Sequence, residues 1–440
     1  MSYVVTSEIE KQQMLNTIGV SKIEELFVDV PKDVLLNSPL NLEEGISEFE
    51  VLSDLSQIAD KNTVYTSTFR GAGSYRHLIP EVVKHLSNLN GFVTSYTPYQ
   101  AEIAQGNLQS IFEYQTEICD LCDMDISNAS IYDGASAACE ALMMTLSRNK
   151  NKFLVSKSIH PNFRQVIKTY AFARDIIVEE IECDSGITSK NDFLNKISDD
   201  VASIIVQSPN FFGLIEDVES IVKIAKENKM ECVEIVNPIS LGLLKTPREL
   251  GVEITCGEAQ PLGLDQGFGG PYLGFIACSN KYLRKIPGRL VGQTTDSKDN
   301  ISYVLTLQAR EQHIRREKAT SSICSNQALS ALRCLIYMGA MGKMGIKEVA
   351  RRSFNNAHYA MKKIITIPGF SLKYEGEFFH EFVISTKIDV DVINKRLRDL
   401  NIEGPYKLND KQMLVCVTEA LSKKEIDKFI TCLIEVSKWN

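Results

Sequence analysis

A chain of 440 residues exceeds the size at which a single core keeps growing, so two or more domains are expected. It is 44% hydrophobic and 24% charged with a net charge of −8, which argues against a nucleic-acid binder that works by neutralising phosphates. No apolar run approaches the roughly 20 residues a membrane span needs. The amino end MSYVVTSEIEKQQ lacks a leader pattern and the eleven cysteines are scattered, so a reducing cytoplasm is the expected location.

Residues 1–68 read as a helical segment. Ser7 to Glu10 and Ser21 to Glu24 match the capping-box spacing, in which a hydroxyl and a carboxylate satisfy the first N–H groups of a helix. Ile46, Phe49, Leu52, Leu55 and Ile58 recur at helical intervals as one apolar stripe. The loop FRGAGSYRH leads to a helix starting near Pro80, whose fixed φ suits a first turn. A long helix from about Gly106 carries Leu108, Ile111, Phe112 and Ile118. Cys119 and Cys122 continue that series, so this CxxC reads as core packing rather than half of a zinc site.

Up to residue 280 the runs FLVS, IIVEEI, SIIVQS, MECVEIV and EITCG are each followed by a turn signal and mostly by a helical pattern. That alternation predicts a mostly parallel sheet with helices on both faces, in a large α/β domain of residues 69–335. YLGFIAC follows with little room for a crossover and is expected to run antiparallel to its neighbour. Residues 336–440 read as a small α/β domain. It has strands HEFVIST and MLVCVTE, a helix with Val392, Ile393, Leu397 and Leu400, and a last helix capped by Ser422 and Glu425.

Several stretches could carry chemistry. GEAQPLGLDQGFGGPYLG, Gly257 to Gly274, holds six glycines in eighteen residues, yet the chain has no lysine between Lys245 and Lys281. YDGASA places Asp133, Gly134, Ala135 and Ser136 at a helix start, where free N–H groups bind anions; a tight packing turn would use the same residues. Neither GAGSYR nor the glycine-rich loop matches a Walker motif, and a dinucleotide fingerprint fails as well. His160 and Asn237 follow strands at their carboxyl ends, where open α/β sheets bind ligands. His160 could stack on a planar ring or be an ordinary loop histidine. Asn237, before Pro238, reads as a capped turn, because asparagine cannot hold a pyridine nitrogen's proton as a carboxylate does. TSYTPYQAEIAQGNLQ gathers Tyr96, Tyr99, Gln100, Glu102 and Gln105 at the expected opening of the long helix, either as lining of a polar pocket or as a solvated helix start. REQHIRREK, with Arg310, Arg315, Arg316 and Lys318, could hold an anion or an acidic surface, diluted by Glu311 and Glu317. No metal-ligand set stands out.

Taken together, TSYTPYQAEIAQGNLQ, NASIYDGASAACEA, QSPNFFGLIED, NPISLGLL, GEAQPLG, FGGPYLGF, IPGRLVGQTTD and LTLQAREQHIRREKATSSIC closely resemble the alpha (amino-terminal) subunits of two-subunit glycine decarboxylases, the P-proteins of the glycine cleavage system. The resemblance runs from near residue 10 to about 345 and is less sharp beyond. It implies the α/β architecture of fold-type I pyridoxal phosphate enzymes. It also implies a homologous beta chain that supplies the lysine and holds pyridoxal phosphate covalently, in a heterotetramer of two alpha and two beta chains (α2β2). Such a complex decarboxylates glycine and passes the aminomethyl group to the lipoyl arm of the H-protein. On this reading no catalytic residue lies on this chain. Tyr96, Tyr99, Gln100, Glu102 and Gln105 reach toward a shared active site, and Asp133 to Ser136, His160 and Asn237 are vestiges of a cofactor pocket.

The sequence departs from that family in places. Asn237 stands where aspartate is usual, Ala259 replaces a glycine in GEGQPLG, and Asp265, Gln266 and Gly267 replace a more apolar Pro-Leu-Ser segment. Ser322 replaces an asparagine in KATSN. Two alternatives stay open: a non-catalytic scaffold of the same fold, and a self-sufficient pyridoxal enzyme using Lys157 or Lys245.

Overall fold

The computed structural model describes residues 5–36, 38–319, 321–323 and 326–438. The chain separates into two units, residues 1–63 and 64–440. In the first, helix Glu8–Ile18 carries the expected capping box: the Glu10 N–H donates to the Ser7 hydroxyl at 3.3 Å and the Ser7 N–H to the Glu10 carboxylate at 2.8 Å. The second expected box does not form. Ser21 precedes a five-residue 3₁₀ turn, Ile23–Phe27, whose cap position falls on Lys22 without a side-chain bond; the tighter 3₁₀ winding does not offer the spacing the box needs. Helix Glu48–Ala59 carries Phe49, Leu52, Leu55 and Ile58, and a Ser47–Glu50 box that the sequence reading passed over closes its start.

The second unit is built on a seven-stranded sheet. Its strands in chain order are β1 (Ile126–Ser127), β2 (Lys152–Ser156), β3 (Ile177–Ile181), β4 (Val201–Ser208), β5 (Glu231–Val236), β6 (Ile254–Glu258) and β7 (Gly274–Cys278). They lie in the order β1-β7-β6-β5-β4-β2-β3. Strands β2 to β6 pair in parallel, whereas β7 is antiparallel to both β6 and β1, as expected for a strand reached through a loop that holds no helical crossover. Alternate residues of one strand enter opposite cores. Phe153 and Val155 pack with helices Gly134–Met143 and Pro161–Phe172, while Leu154 packs with Gln105–Cys122, Val218–Glu227 and Ala328–Ile364. Burial on both faces is why the FLV of β2 and the IIV of β4 read as apolar runs.

A second sheet of four antiparallel strands, in the order Phe370–Leu372, Glu381–Thr386, Gln412–Cys416, Tyr406–Asn409, has its own core with helices Val390–Asp399 and Lys423–Ser437. The expected Ser422–Glu425 box caps the last helix. The expected domain junction at 335/336 falls within helix Ala328–Ile364, whose backbone leaves helical geometry at Gly342 (φ 59°, ψ 178°). Cys122 is buried, Cys119 is half-buried, and the ten described cysteines are free; Cys324 lies outside the described residues. Among the described residues there is no group of side chains fit to hold a metal ion and no helix long and apolar enough to cross a membrane.

One core residue opposes its surroundings. Glu234 lies in the middle of β5, 2% exposed, and its Oε2 has no hydrogen-bond partner among the described residues. Burial pushes its carboxyl up to about 8. The folded state therefore keeps a proton that the unfolded chain releases near pH 4.5, so the stability tied to this group is complete below that pH and is lost as pH rises toward about 8. Thermal melts of wild type and Glu234→Gln between pH 5 and 8 test this. The wild type should lose about 1.4 kcal/mol more per pH unit than the variant; parallel pH profiles would contradict it.

Candidate functional site

The residues that come after each parallel strand gather along one edge of the sheet. His160 comes after β2, Asn210 and Phe211 after β4, Asn237 after β5, and β6 ends on Glu258. Open α/β sheets hold their ligands along this edge. Here much of it is occupied by the chain's own groups.

The helix start is the clearest case. Asp133 caps helix Gly134–Met143, its Oδ1 accepting the Ser136 N–H at 2.8 Å. The Gly134 N–H donates to Oε2 of Glu258 at 3.0 Å, and Oε1 of the same carboxylate accepts the N–H groups of Gln260 and Leu273, each at 3.0 Å. Burial raises the Glu258 carboxyl to about 7 against the pull of those three amides, with the nearby Asp133 charge also raising it. Glycine is required on both sides of this contact. A Cβ on Gly134 would lie 2.8 Å from Glu258 Cβ, and one on Gly274 would lie 2.2 Å from the Asp133 carbonyl oxygen.

His160 is likewise engaged. Its Nε2 lies 2.9 Å from the Ala72 carbonyl, and Nδ1 accepts the Asn162 N–H at 3.1 Å. The ring is thus neutral with its proton on Nε2, and burial holds its pKa below the usual histidine value. Gly73, at φ +102°, packs so close that a Cβ would meet the ring at 3.0 Å, and Phe211 meets the ring edge-on with centroids 4.9 Å apart.

The FRGAGSYRH loop that covers His160 is strapped down on two sides. Toward the glycine-rich loop, Tyr75 exchanges backbone bonds with the Gln260 amide at 2.9 and 2.8 Å, and the Ser74 and Tyr272 hydroxyls meet at 2.7 Å. Toward the C-terminal sheet, the Ala72 N–H and the Tyr75 hydroxyl both donate to the Glu381 carboxylate at 2.7 Å, and His77 Nδ1 lies 2.7 Å from Glu419. Sequence reading missed Glu258, Gln260, Glu381 and Glu419. The available signal was a carboxylate directly after Gly257 with no basic residue in its loop.

Asn237 Oδ1 accepts the Ile239 N–H at 3.0 Å, which closes a local turn before the next helix-like segment. Lys157 pairs with Glu182, and Lys245 lies 3.1 Å from Glu219. The pyridoxal phosphate that the fold implies therefore does not fit this chain's own pocket. Its anion cradle contains Glu258, His160 is bonded to the Ala72 carbonyl with Gly73 against its ring, Asn237 is no carboxylate, and the loop after β6 brings no amine.

The TSYTPYQ segment forms a separate group. It is not the opening of the long helix, which starts at Gln105; residues 94–104 run as turns, interrupted by Pro98, and Ala104 has non-helical ψ 28°. Gln105 is fixed by its amide, which donates to the Ala101 and Tyr303 carbonyls at 2.7 and 2.9 Å and accepts the Tyr303 N–H at 2.8 Å. Tyr303 belongs to a hairpin, Val291–Thr295 with Ile301–Leu305, that the sequence reading did not pick out. The Tyr99 ring lies 5.1 Å from the Arg289 guanidinium, and Arg289 pairs with Glu311. Gln100 and Glu102 are exposed, and Tyr96 is 94% exposed. In the basic run, Arg310 is committed to the Gly288 carbonyl at 2.6 Å and to that of Ile286, while Arg315, Arg316 and Lys318 face solvent.

Closure of the loop on His160 is open to test. Gly73→Ala would place a methyl group against the ring at a φ of +102°, with an expected cost of about 1–3 kcal/mol. A thermal melt should register the loss; an unchanged Tm would contradict the packing.

The model of the glycine cleavage system P-protein family matches residues 1–433. A probable glycine dehydrogenase (decarboxylating) subunit 1 of Desulfitobacterium hafniense is 45% identical over 99% of this chain and 100% of its own length. The like-named protein of Geobacillus thermodenitrificans is 46% identical over 97% of each. Among solved structures, an inhibitor-bound glycine decarboxylase P-protein superposes with a TM-score of 0.93 at 36% identity, covering 99% of this chain and 100% of that one. A glutamate decarboxylase of Lactobacillus brevis, 13% identical with a TM-score of 0.67 over 94% of this chain and 96% of its own, shares the fold. This chain belongs to the glycine cleavage system P-protein family.

Proposed function

We propose that the chain is subunit 1 of a two-chain glycine dehydrogenase (decarboxylating), an oxidoreductase of the glycine cleavage system. In the cytoplasm it pairs with a homologous second chain that carries the cofactor lysine, in a tetramer of two copies of each. The complex decarboxylates glycine and hands the aminomethyl group to the lipoyl arm of the H-protein. The observation that carries this reading is the division of labour within a chain matched along its length by subunit 1 proteins. Its own cofactor edge is filled by Glu258 and Gly73, while Tyr96 stands almost fully exposed. Near that segment in sequence, Val82, Leu86 and Leu89 line one open groove, and Val93 and Ile103 are exposed as well, apolar side chains suited to a second chain.

In this role Tyr96, Tyr99, Gln100 and Glu102 supply polar groups to the partner's active site, with Gln105 and Arg289 holding the segment in register. Asp133 to Ser136, His160 and Asn237 serve as framework. Reconstitution tests the assignment. Glycine-dependent exchange of labelled carbon dioxide in the presence of lipoylated H-protein is expected from the two chains together and from neither alone; full exchange by either chain alone would overturn it. Within the complex, Tyr96→Ala should lower exchange about tenfold or more with an unchanged Tm, as loss of a positioning contact does. Undiminished exchange would remove Tyr96 from the shared site.

A further inference from the structure

The cradle at the start of helix Gly134–Met143 has the form of an anion site. It is a helix amino terminus at the carboxyl edge of a parallel sheet, opened by small residues and joined by two further amides from the loop after β6. We propose that Glu258 is a built-in anion that takes the place of a phosphate in this cradle and so makes the chain reject phosphorylated ligands at its own sheet edge.

Three observations carry this. The Glu258 carboxylate accepts three backbone N–H groups, one from the helix start at Gly134 and two from the ends of the glycine-rich loop at Gln260 and Leu273, each at 3.0 Å. That is the donor pattern a phosphate would use, with both carboxylate oxygens engaged. Space is committed as well as charge, since Gly134 packs against the Glu258 side chain so closely that a Cβ would lie 2.8 Å from it. A second cap donor, Ser136 N–H, goes to Asp133 at 2.8 Å, which places another carboxylate beside the first. A phosphate would have to displace Glu258 from its three amides and settle next to Asp133. Of the two carboxylates, Glu258 is the determinant, because it alone bridges the helix to the loop after β6.

The same contact makes Glu258 a positioning residue for that loop. Gln260, whose N–H it accepts, is the residue that grips Tyr75 and so holds the FRGAGSYRH loop over His160.

The test compares pyridoxine 5′-phosphate with pyridoxine, which lack the aldehyde that would label surface lysines, by calorimetric titration of the full-length chain at pH 8, above the Glu258 titration at about 7. Wild type should bind the phosphorylated form no more tightly than the unphosphorylated one; a preference above about tenfold would overturn the proposal. Glu258→Ala vacates the cradle and should gain at least about tenfold in affinity for inorganic phosphate, whereas Glu258→Gln, which keeps the volume, should gain little. A folded Glu258→Ala chain with no gain would also overturn it. The wild-type comparison decides without any variant, should the alanine chain fail to fold. Failure on either arm leaves the two-chain reading untouched, because that reading is judged by carbon dioxide exchange.

Discussion

A helix that begins at the carboxyl edge of a parallel sheet presents N–H groups that need an acceptor, and in this chain Glu258 is that acceptor. Much of the site depends on it. The carboxylate joins the start of helix Gly134–Met143 to both ends of the glycine-rich loop through Gln260 and Leu273. Such a junction is possible only where side chains are missing, which accounts for Gly134 and Gly274. With Gln260 fixed, its amide holds Tyr75, and the loop before the first helix of the large domain is drawn over His160. Glu381 and Glu419 fasten that loop to the C-terminal sheet, so the two sheets and the sheet edge are coupled through one short segment.

The consequence is a fold that keeps the frame of a pyridoxal enzyme with its central cavity closed from within. The polar groups at the sheet edge are satisfied by the chain's own backbone: a histidine bonded to a backbone carbonyl, an asparagine closing its own turn, a carboxylate on a helix-start amide. The polar residues still presented outward lie on the TSYTPYQ segment, held by Gln105 against a hairpin and by the Tyr99–Arg289 contact.

Much of the architecture was legible because its signals are local. Strands buried on both faces read as apolar runs, and the antiparallel β7 could be inferred from the missing crossover. The hairpin at Val291–Thr295 was not legible, because VGQTT is half-exposed and polar and its partner strand is anchored by Gln105, nearly two hundred residues away. The Ser21 box failed for the opposite reason, a correct local spacing on a segment that winds as a 3₁₀ turn. At the site, the lack of a lysine was plain from the sequence. The groups that fill the space were not, because their contacts span 124 residues for Gly134 with Glu258 and 309 for Ala72 with Glu381. No periodicity encodes such pairs.

Everything at the sheet edge turns on its being filled by the chain's own groups. The most direct measurement is a crystal structure of the isolated chain grown with pyridoxal 5′-phosphate in excess. Glu258 is expected within hydrogen-bonding distance of the Gly134 N–H and the Ala72 carbonyl on His160, with no ligand between them. A phosphate seated on the Gly134 amide, with Glu258 turned away, would contradict it.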